Sequence, residues 1–279
     1  MQFVTSLHPT DRIAPAGLSW PPVRPAAPTR LTYAGHATVL VEIDGVRLLT
    51  DPILRNRVSF LRRHQRDGFD PAAYRQVDAA LISHLHLDHL DPPSLRLLGQ
   101  DTRLIVPRGA GAWLRGQGFR RVTEVRIGEE TAVGPVSIHA TYADHDAARH
   151  RFGWRVDQSL GYRIQGSHTV YFSGDTDLFA GMAELGAGLD VALLPVWGWG
   201  PTLGAGHMDP RRAAEALALL QPRLAVPIHW GALRPTGFGL LNPSFLAEPP
   251  HTFAAHAAQI APQVQVQIVP PGGSLALAF

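Results

Sequence analysis

Residues Ile82–Leu95 read "ISHLHLDHLDPPSL", and their reading decides the rest of the chain. The eight positions from His84 to Asp91 hold three histidines and two aspartates, in a protein with 14 His among 279 residues. Chance produces His-x-His-x-Asp-His in roughly one chain of this composition in five hundred, so the pattern asks for a chemical reason. His84 and His86 sit two apart at the end of an apolar run. Read as strand, that period turns both side chains to one side, so both imidazoles reach one ion. Asp88 and His89 follow where the chain turns towards a helix, and their side chains face a second ion close by. Imidazole and carboxylate suit Zn²⁺, and also Mn and Fe.

Composition narrows the setting. With 45% hydrophobic and 17% charged residues, the chain reads as globular and long enough to bury a substantial core. All 25 basic residues are Arg, yet the net charge is only +2. A nucleic-acid partner is therefore not expected, because such proteins carry a denser basic face. The chain has no Cys, which excludes disulfides and thiolate metal sites and leaves any metal to His and carboxylates. The N-terminus lacks the pattern of a signal peptide, and no run of 18 apolar residues marks a transmembrane helix. The expectation is a cytoplasmic protein, with peripheral membrane contact and oligomeric state left open.

Residues 1–29 are Pro-rich and read as an extended arm; residues 30–279 read as one domain. Strand runs are expected at Thr38–Ile43, Val46–Thr50, Ala79–Ser83, Arg103–Val106, Val136–Tyr142, Leu160–Ile164, Thr169–Ser173, Val191–Pro195, Leu224–Ile228, Val264–Val269 and Leu275–Phe279. Asp44-Gly45 reads as a hairpin turn. Asp91-Pro92 and Asp209-Pro210 each read as a helix cap and first helical residue. Further helices are expected at Ala110–Gln117, Leu178–Leu185 and Thr252–Ile260. Many short strands with helices between groups of them predict an α/β fold, two sheets face to face with helices outside. Residues 53–77 form a long Arg-rich insertion, read either as a solvated loop or as a lid.

The segment His84–His89 resembles the signature of the metallo-β-lactamase superfamily. That resemblance implies an αββα sandwich of two mixed sheets, with two metals at one end. It also implies further ligands. His145 in "TYADHDAARH" best fits the next His, with His150 as its rival; His139 reads as alternating within a strand. Asp175 in "VYFSGDTDLF" fits the Asp that bridges both metals, and His229 in "AVPIHWG" fits the last His. Asp51 in "LLTDPIL" fits an acid just behind the metals that holds a ligand in place. The stretches "GHATVLVEIDGVRLLTDP" and "HMDPRRAAEAL" are most similar to the branch holding L-ascorbate-6-phosphate lactonase and N-acyl-phosphatidylethanolamine phospholipase D. The second is favoured by the insertion after Asp51 and the segment around His207.

The chemistry implied is hydrolysis by a hydroxide shared between two divalent ions, zinc first with Mn or Fe as alternatives, with Asp88 at the reacting centre. Two ions bring +4, Asp88 and Asp175 −2 and hydroxide −1, so the balance, with Arg nearby, favours an anionic substrate. A phosphodiester, lipid-like among the options, stands first; a lactone of a phosphorylated or acidic small molecule comes next. RNA cleavage ranks third, since no length is spare for an RNA-binding domain. A metal-binding sensor or scaffold without catalysis is the rival from another class. His207 is either a loop residue or a proton donor or substrate contact reaching the metal centre. His36 is either at the rim or a buried, hydrogen-bonded His. Trp197 and Trp199 are packing residues or line the pocket mouth.

Overall fold

The β-branched runs become strands, and the strand directions explain where the site lies. The computed structural model describes residues 28–64, 69–146, 158–237 and 244–279. The Pro-rich arm up to residue 27, Arg66 and His150 lie outside the described residues. In chain order the first half contributes β1 (Arg30–Gly35), β2 (Thr38–Ile43), β3 (Val46–Thr50), β4 (Arg57–Val58), β5 (Leu61–Arg63), β6 (Ala79–Leu81), α1 (Pro92–Leu98), β7 (Arg103–Pro107), α2 (Gly111–Gly116), β8 (Val122–Val125), β9 (Glu130–Val133) and β10 (Val136–Tyr142). The second half adds β11 (Leu160–Gln165), β12 (Thr169–Phe172), β13 (Val191–Pro195), α3 (Pro210–Leu220), β14 (Leu224–Ile228), β15 (Leu233–Pro235), α4 (Pro249–Ile260), β16 (Gln265–Val266) and β17 (Ser274–Ala276).

Two large sheets result, ordered β17-β1-β2-β3-β6-β7-β8 and β16-β14-β13-β12-β11-β10-β9. Val39, Leu48, Leu81 and Ile105 of the first meet Ile138, Tyr162, Phe172 and Leu193 of the second in one buried core. Leu95 of α1 and Leu114 of α2 cover the outer face of the first sheet over Leu40, Leu49 and Ala80. Ala213 and Leu217 of α3 and Phe253 of α4 are buried on the second. This is the αββα arrangement expected.

Strands β3, β6, β7 and β8 run parallel. Strand β1 shares their direction, because β2 lies antiparallel to both β1 and β3. Strands β12, β13 and β14 are likewise parallel, and β10 runs with them because β11 is antiparallel to both neighbours. The carboxyl ends of all these strands therefore carry loops at one edge of each sheet, the usual place for a ligand in an α/β fold.

Both Asp-Pro caps form as read. Asp91 accepts from Ser94 N at 3.0 Å and Asp209 from Arg212 N at 2.8 Å. Other expectations need correction. Leu178–Leu185 is not an α-helix; only a 3-10 turn at Met182–Gly186 forms, because Gly181 enters it at φ +88°. Strands β1, β8 and β9 escaped the sequence reading, and the expected strands at 264–269 and 275–279 shrink to β16 and β17. Of the two readings of the insertion, a plain solvated loop does not describe its residues 57–63. Strands β4 and β5 form a hairpin that pairs with β15, Leu233 opposite Arg63 and Pro235 opposite Leu61.

Candidate metal centre

Six loops at the strand ends bring the expected residues together. Asp51 follows β3, His84 to His89 follow β6, His145 follows β10, Asp175 follows β12, His229 follows β14, and His36 follows β1. His84 and His86 are not in strand, since β6 ends at Leu81; an irregular segment turns both rings to the same place. Gly174 makes the approach of Asp175 possible: it lies at φ +62°, and a Cβ there would stand 2.6 Å from Ser83 Cβ.

The geometry fits two cations, and the fit follows from hydrogen bonds rather than from residue type alone. His89 Nδ1 lies 2.7 Å from Asp51 Oδ2, and His229 Nδ1 lies 2.8 Å from the Trp197 carbonyl. Both partners only accept, so both Nδ1 atoms carry hydrogen and, in neutral rings, both Nε2 atoms are lone pairs. Those lone pairs face each other at 3.2 Å, with Asp175 Oδ2 3.0 Å from His89 Nε2 and Asp175 Oδ1 3.2 Å from His229 Nε2. Asp88 Oδ2 is 3.7 Å from His89 Nε2 and 4.0 Å from His229 Nε2. Such a ring of acceptors calls for a positive ion at its centre.

A second group repeats the logic. Ser83 Oγ donates to Asp51 Oδ2 at 2.6 Å and so accepts from His84 Nδ1 at 2.9 Å. His84 Nε2 is left buried without a hydrogen-bond partner. His145 Nδ1 donates to the Gly206 carbonyl at 2.8 Å, which turns its Nε2 as a lone pair towards His86 Nδ1, 3.1 Å away. His84, His86 and His145 offer donor atoms mutually close enough for one ion, while Asp88, His89 and His229 do so for another beside His36. Asp175 stands between the groups, and its Oδ1 accepts no hydrogen bond. Asp51 contacts His89 directly and His84 through Ser83, the kind of outer hydrogen bond that orients an imidazole.

Charge within the cluster is strongly coupled. Burial alone would lower His89, but Asp175 and Asp88 outweigh it and raise its pKa well above the ordinary value. Burial opposes ionisation of Asp175 as well, yet His229 and His89 hold it well below the usual carboxylate range. Burial lowers His36 to about 3 and His145 to about 4. The neutral His36 donates from Nε2 to Asp88 Oδ2 at 2.9 Å, so it is the buried, hydrogen-bonded alternative.

His207 also reaches the centre. Its Nε2 is 3.3 Å from Asp175 Oδ2, and its Nδ1 faces the carbonyls of Gly204 and Ala205. A cavity of about 500 Å³ opens over Asp88, Asp175, His86 and His207. Its walls are Phe60 and Leu61 from the hairpin, Leu87, and Trp199 and Leu203 from the loop after β13. No Arg lines it among the described residues, so the expectation that Arg supplies positive charge there is not met. Arg55 is instead paired with Asp91 at 2.7 Å, and Arg63 is buried. Trp199 lines the mouth, whereas Trp197 contributes its carbonyl to His229. His139 pairs with Glu130 across β9 and β10, away from the site.

The match with known proteins decides the family. Residues 46–230 match the beta-lactamase superfamily domain. The chain belongs to this superfamily. Within it, a UPF0173 metal-dependent hydrolase of Methanopyrus kandleri is 31% identical over 250 residues, covering 88% of this chain and 98% of the relative. An N-acyl-phosphatidylethanolamine-hydrolyzing phospholipase D of Caenorhabditis elegans is 30% identical over 231 residues, and the match spans 63% of that relative. In structure, the superfamily member resembles Igni18, a metallo hydrolase from Ignicoccus hospitalis, with TM-score 0.70, 25% identity and coverage of 91% of this chain and all of the other. Among the described residues, no helix is long and apolar enough to cross a membrane.

Sequence reasoning missed Ser83 and the carbonyls of Trp197 and Gly206, whereas the pocket-mouth reading of Trp199 and the lid reading of the insertion pointed towards the Phe60–Trp199 wall. Only Ser83 had a signal, its place next to the first ligand; backbone carbonyls carry none.

Proposed function

We propose that this chain is a metal-dependent hydrolase that uses a pair of divalent ions to cleave a phosphodiester. The observation that supports it is the set of imidazole lone pairs fixed by Asp51, Ser83, Gly206 and Trp197 around Asp175. Bound there, two divalent ions would lower the pKa of a shared water and polarise an oxygen of the substrate. His84, His86 and His145 would hold one ion and Asp88, His89 and His229 the other, with Asp175 shared. His36 keeps Asp88 turned towards its site. His207 lines the cavity with its Nε2 3.3 Å from Asp175 Oδ2, and would give a proton to the leaving oxygen. In balance, the water oxygen bonds to phosphorus, the ester P–O bond breaks, and the departing alkoxide takes the proton. No Ser or Cys nucleophile is required.

A lactone is the second reading, because walls without Arg suit a neutral carbonyl. The test is metal analysis on one sample with turnover of bis(p-nitrophenyl) phosphate and of simple lactones. Phosphodiester turnover without lactonase activity supports the first reading. Two ions per chain with neither activity would leave a metal-binding sensor or scaffold in its place.

A further inference from the structure

The cavity divides sharply by chemistry. Among the described residues, all of its ionisable lining belongs to the metal centre: Asp88, Asp175, His86 and His207. Everything above that floor is apolar side chain or Gly, Ser and Thr. Phe60 is the most telling residue. It is 46% exposed, yet a large apolar ring left in water needs a reason when it sits at the rim of a site. Its ring meets Trp199 edge to face, centroids 5.1 Å apart. That pair comes from two separate elements, the β4–β5 turn and the loop after β13.

The hairpin that presents Phe60 is pinned. Thr236 N donates to the Phe60 carbonyl at 2.8 Å. The buried Arg63 guanidinium donates to the carbonyls of Ala34 at 3.0 Å and Ile53 at 2.6 Å. These carbonyls belong to the segments that carry His36 and Asp51, so the wall is built onto the frame of the metal centre. Leu61 continues inward into a small cluster with Ile53, Val58 and Leu233, against which Leu87 and Trp199 pack. A fixed, two-sided aromatic mouth over a charged floor is a subsite. It is not a surface left unfinished by the fold.

We infer that Phe60 and Trp199 form a specificity subsite that takes one compact, neutral, apolar substituent of the substrate, while the charged group is met at the metal centre. The inference rests on the cavity being the substrate site. The volume, about 500 Å³, lies within the range for small-molecule pockets, roughly 300–1,000 Å³, so it has room for a charged group at the floor with an apolar substituent at the wall. The Arg residues of the hairpin do not enter the cavity, so an anionic or zwitterionic substituent gains nothing from the walls.

The test separates this subsite from catalysis. Zinc-loaded protein is titrated by calorimetry with methyl-, propyl- and pentylphosphonate, whose common headgroup seeks the metals while the chain samples the wall. Binding should tighten by roughly two- to fourfold for each methylene that is buried. The ratio of pentyl to methyl affinity should fall towards one in Phe60→Ala and in Trp199→Ala, and be largely restored in Phe60→Leu. Metal content, measured on each sample, shows that the centre is intact. Equal affinity for all three phosphonates in the wild type would overturn the inference, as would an unchanged ratio in both alanine variants. A preserved ratio with no turnover of any ester would instead sink only the hydrolase reading.

Discussion

Replacing Asp51 with Asn keeps the volume of a fully buried side chain and changes only what it accepts. The carboxylate takes three hydrogen bonds, from Ser83 N at 2.7 Å, Ser83 Oγ at 2.6 Å and His89 Nδ1 at 2.7 Å. An amide has one accepting oxygen. With that oxygen on Ser83 N, its NH₂ confronts two donors at the former Oδ2. His89 then relieves the clash by moving its proton to Nε2, the atom needed for a metal. Ser83, released from Asp51, no longer fixes His84. Loss of an outer partner of this kind costs about 10- to 100-fold in metal affinity, or about 1.4–2.7 kcal/mol. Zinc competition against a chromophoric chelator, fitted to two ions, reads the loss, with circular dichroism confirming the fold. Asp51→Asn should weaken both ions, whereas Ser83→Ala should weaken chiefly the ion on His84. A folded Asp51→Asn protein with both affinities unchanged would refute the tautomer argument.

His84→Ala should drain metal and abolish turnover; full metal content by elemental analysis would remove His84 from the ligand set. His207→Ala should leave metal bound and slow hydrolysis by roughly 10²–10⁴-fold if it supplies the proton, and a wild-type rate would return it to the loop. Metal uptake should release protons, because Asp175 and Asp88 raise the pKa of His89 and that proton must leave before its Nε2 can coordinate. Apparent affinity should therefore weaken as pH falls, by up to about tenfold per unit for each proton released; calorimetry in buffers of different ionisation enthalpy counts them. After chelation, the fold should lose stability as pH drops below the ordinary imidazole value. His36 and His145, lowered to about 3 and about 4, stay neutral when folded but take protons when unfolded. Urea midpoints that do not fall between pH 7 and pH 5 would contradict those environments.

What could be read in advance was whatever the chain writes locally. His84 to His89 are contiguous, and Asp51, Asp175 and His229 each end an apolar run, so strand and candidate site residue announce one another. The Asp-Pro caps were legible for the same reason, since a cap acts over three residues. Leu178–Leu185 misled because its apolar spacing is helical while Gly181 breaks the backbone. Strand β1 hid in a short run that ends at Gly35 just before His36, and β4–β5 in a run of Arg. That run suggested a solvated loop, yet Arg63 is buried against backbone carbonyls and the Phe69 ring, 3.7 Å from its guanidinium. Nothing local distinguishes such an Arg from its exposed neighbours Arg57 and Arg62. Donors that exist only through tertiary contact, such as the Trp197 carbonyl, had no sequence signature to find.

The backbone at the centre carries a cost that the local sequence does not explain. His36, Asp51 and His229 all lie at positive φ, at 60°, 32° and 62°. Such positions cost of the order of 1–3 kcal/mol each and persist only when surroundings over-determine them. Here the surroundings are one another. His229 N donates to the His36 carbonyl at 2.7 Å, and the two rings lie 3.9 Å apart. One residue ends a strand of the first sheet, the other a strand of the second. Their contact clasps the open edge of the sandwich, and His36 extends the clasp to Asp88. A cation gripped by Asp88 and His229 would tighten the same clasp, so binding at the centre and closure of that edge are one equilibrium. The strain is thus spent on holding donors from opposite sheets at ion-binding distance, which neither sheet can do alone.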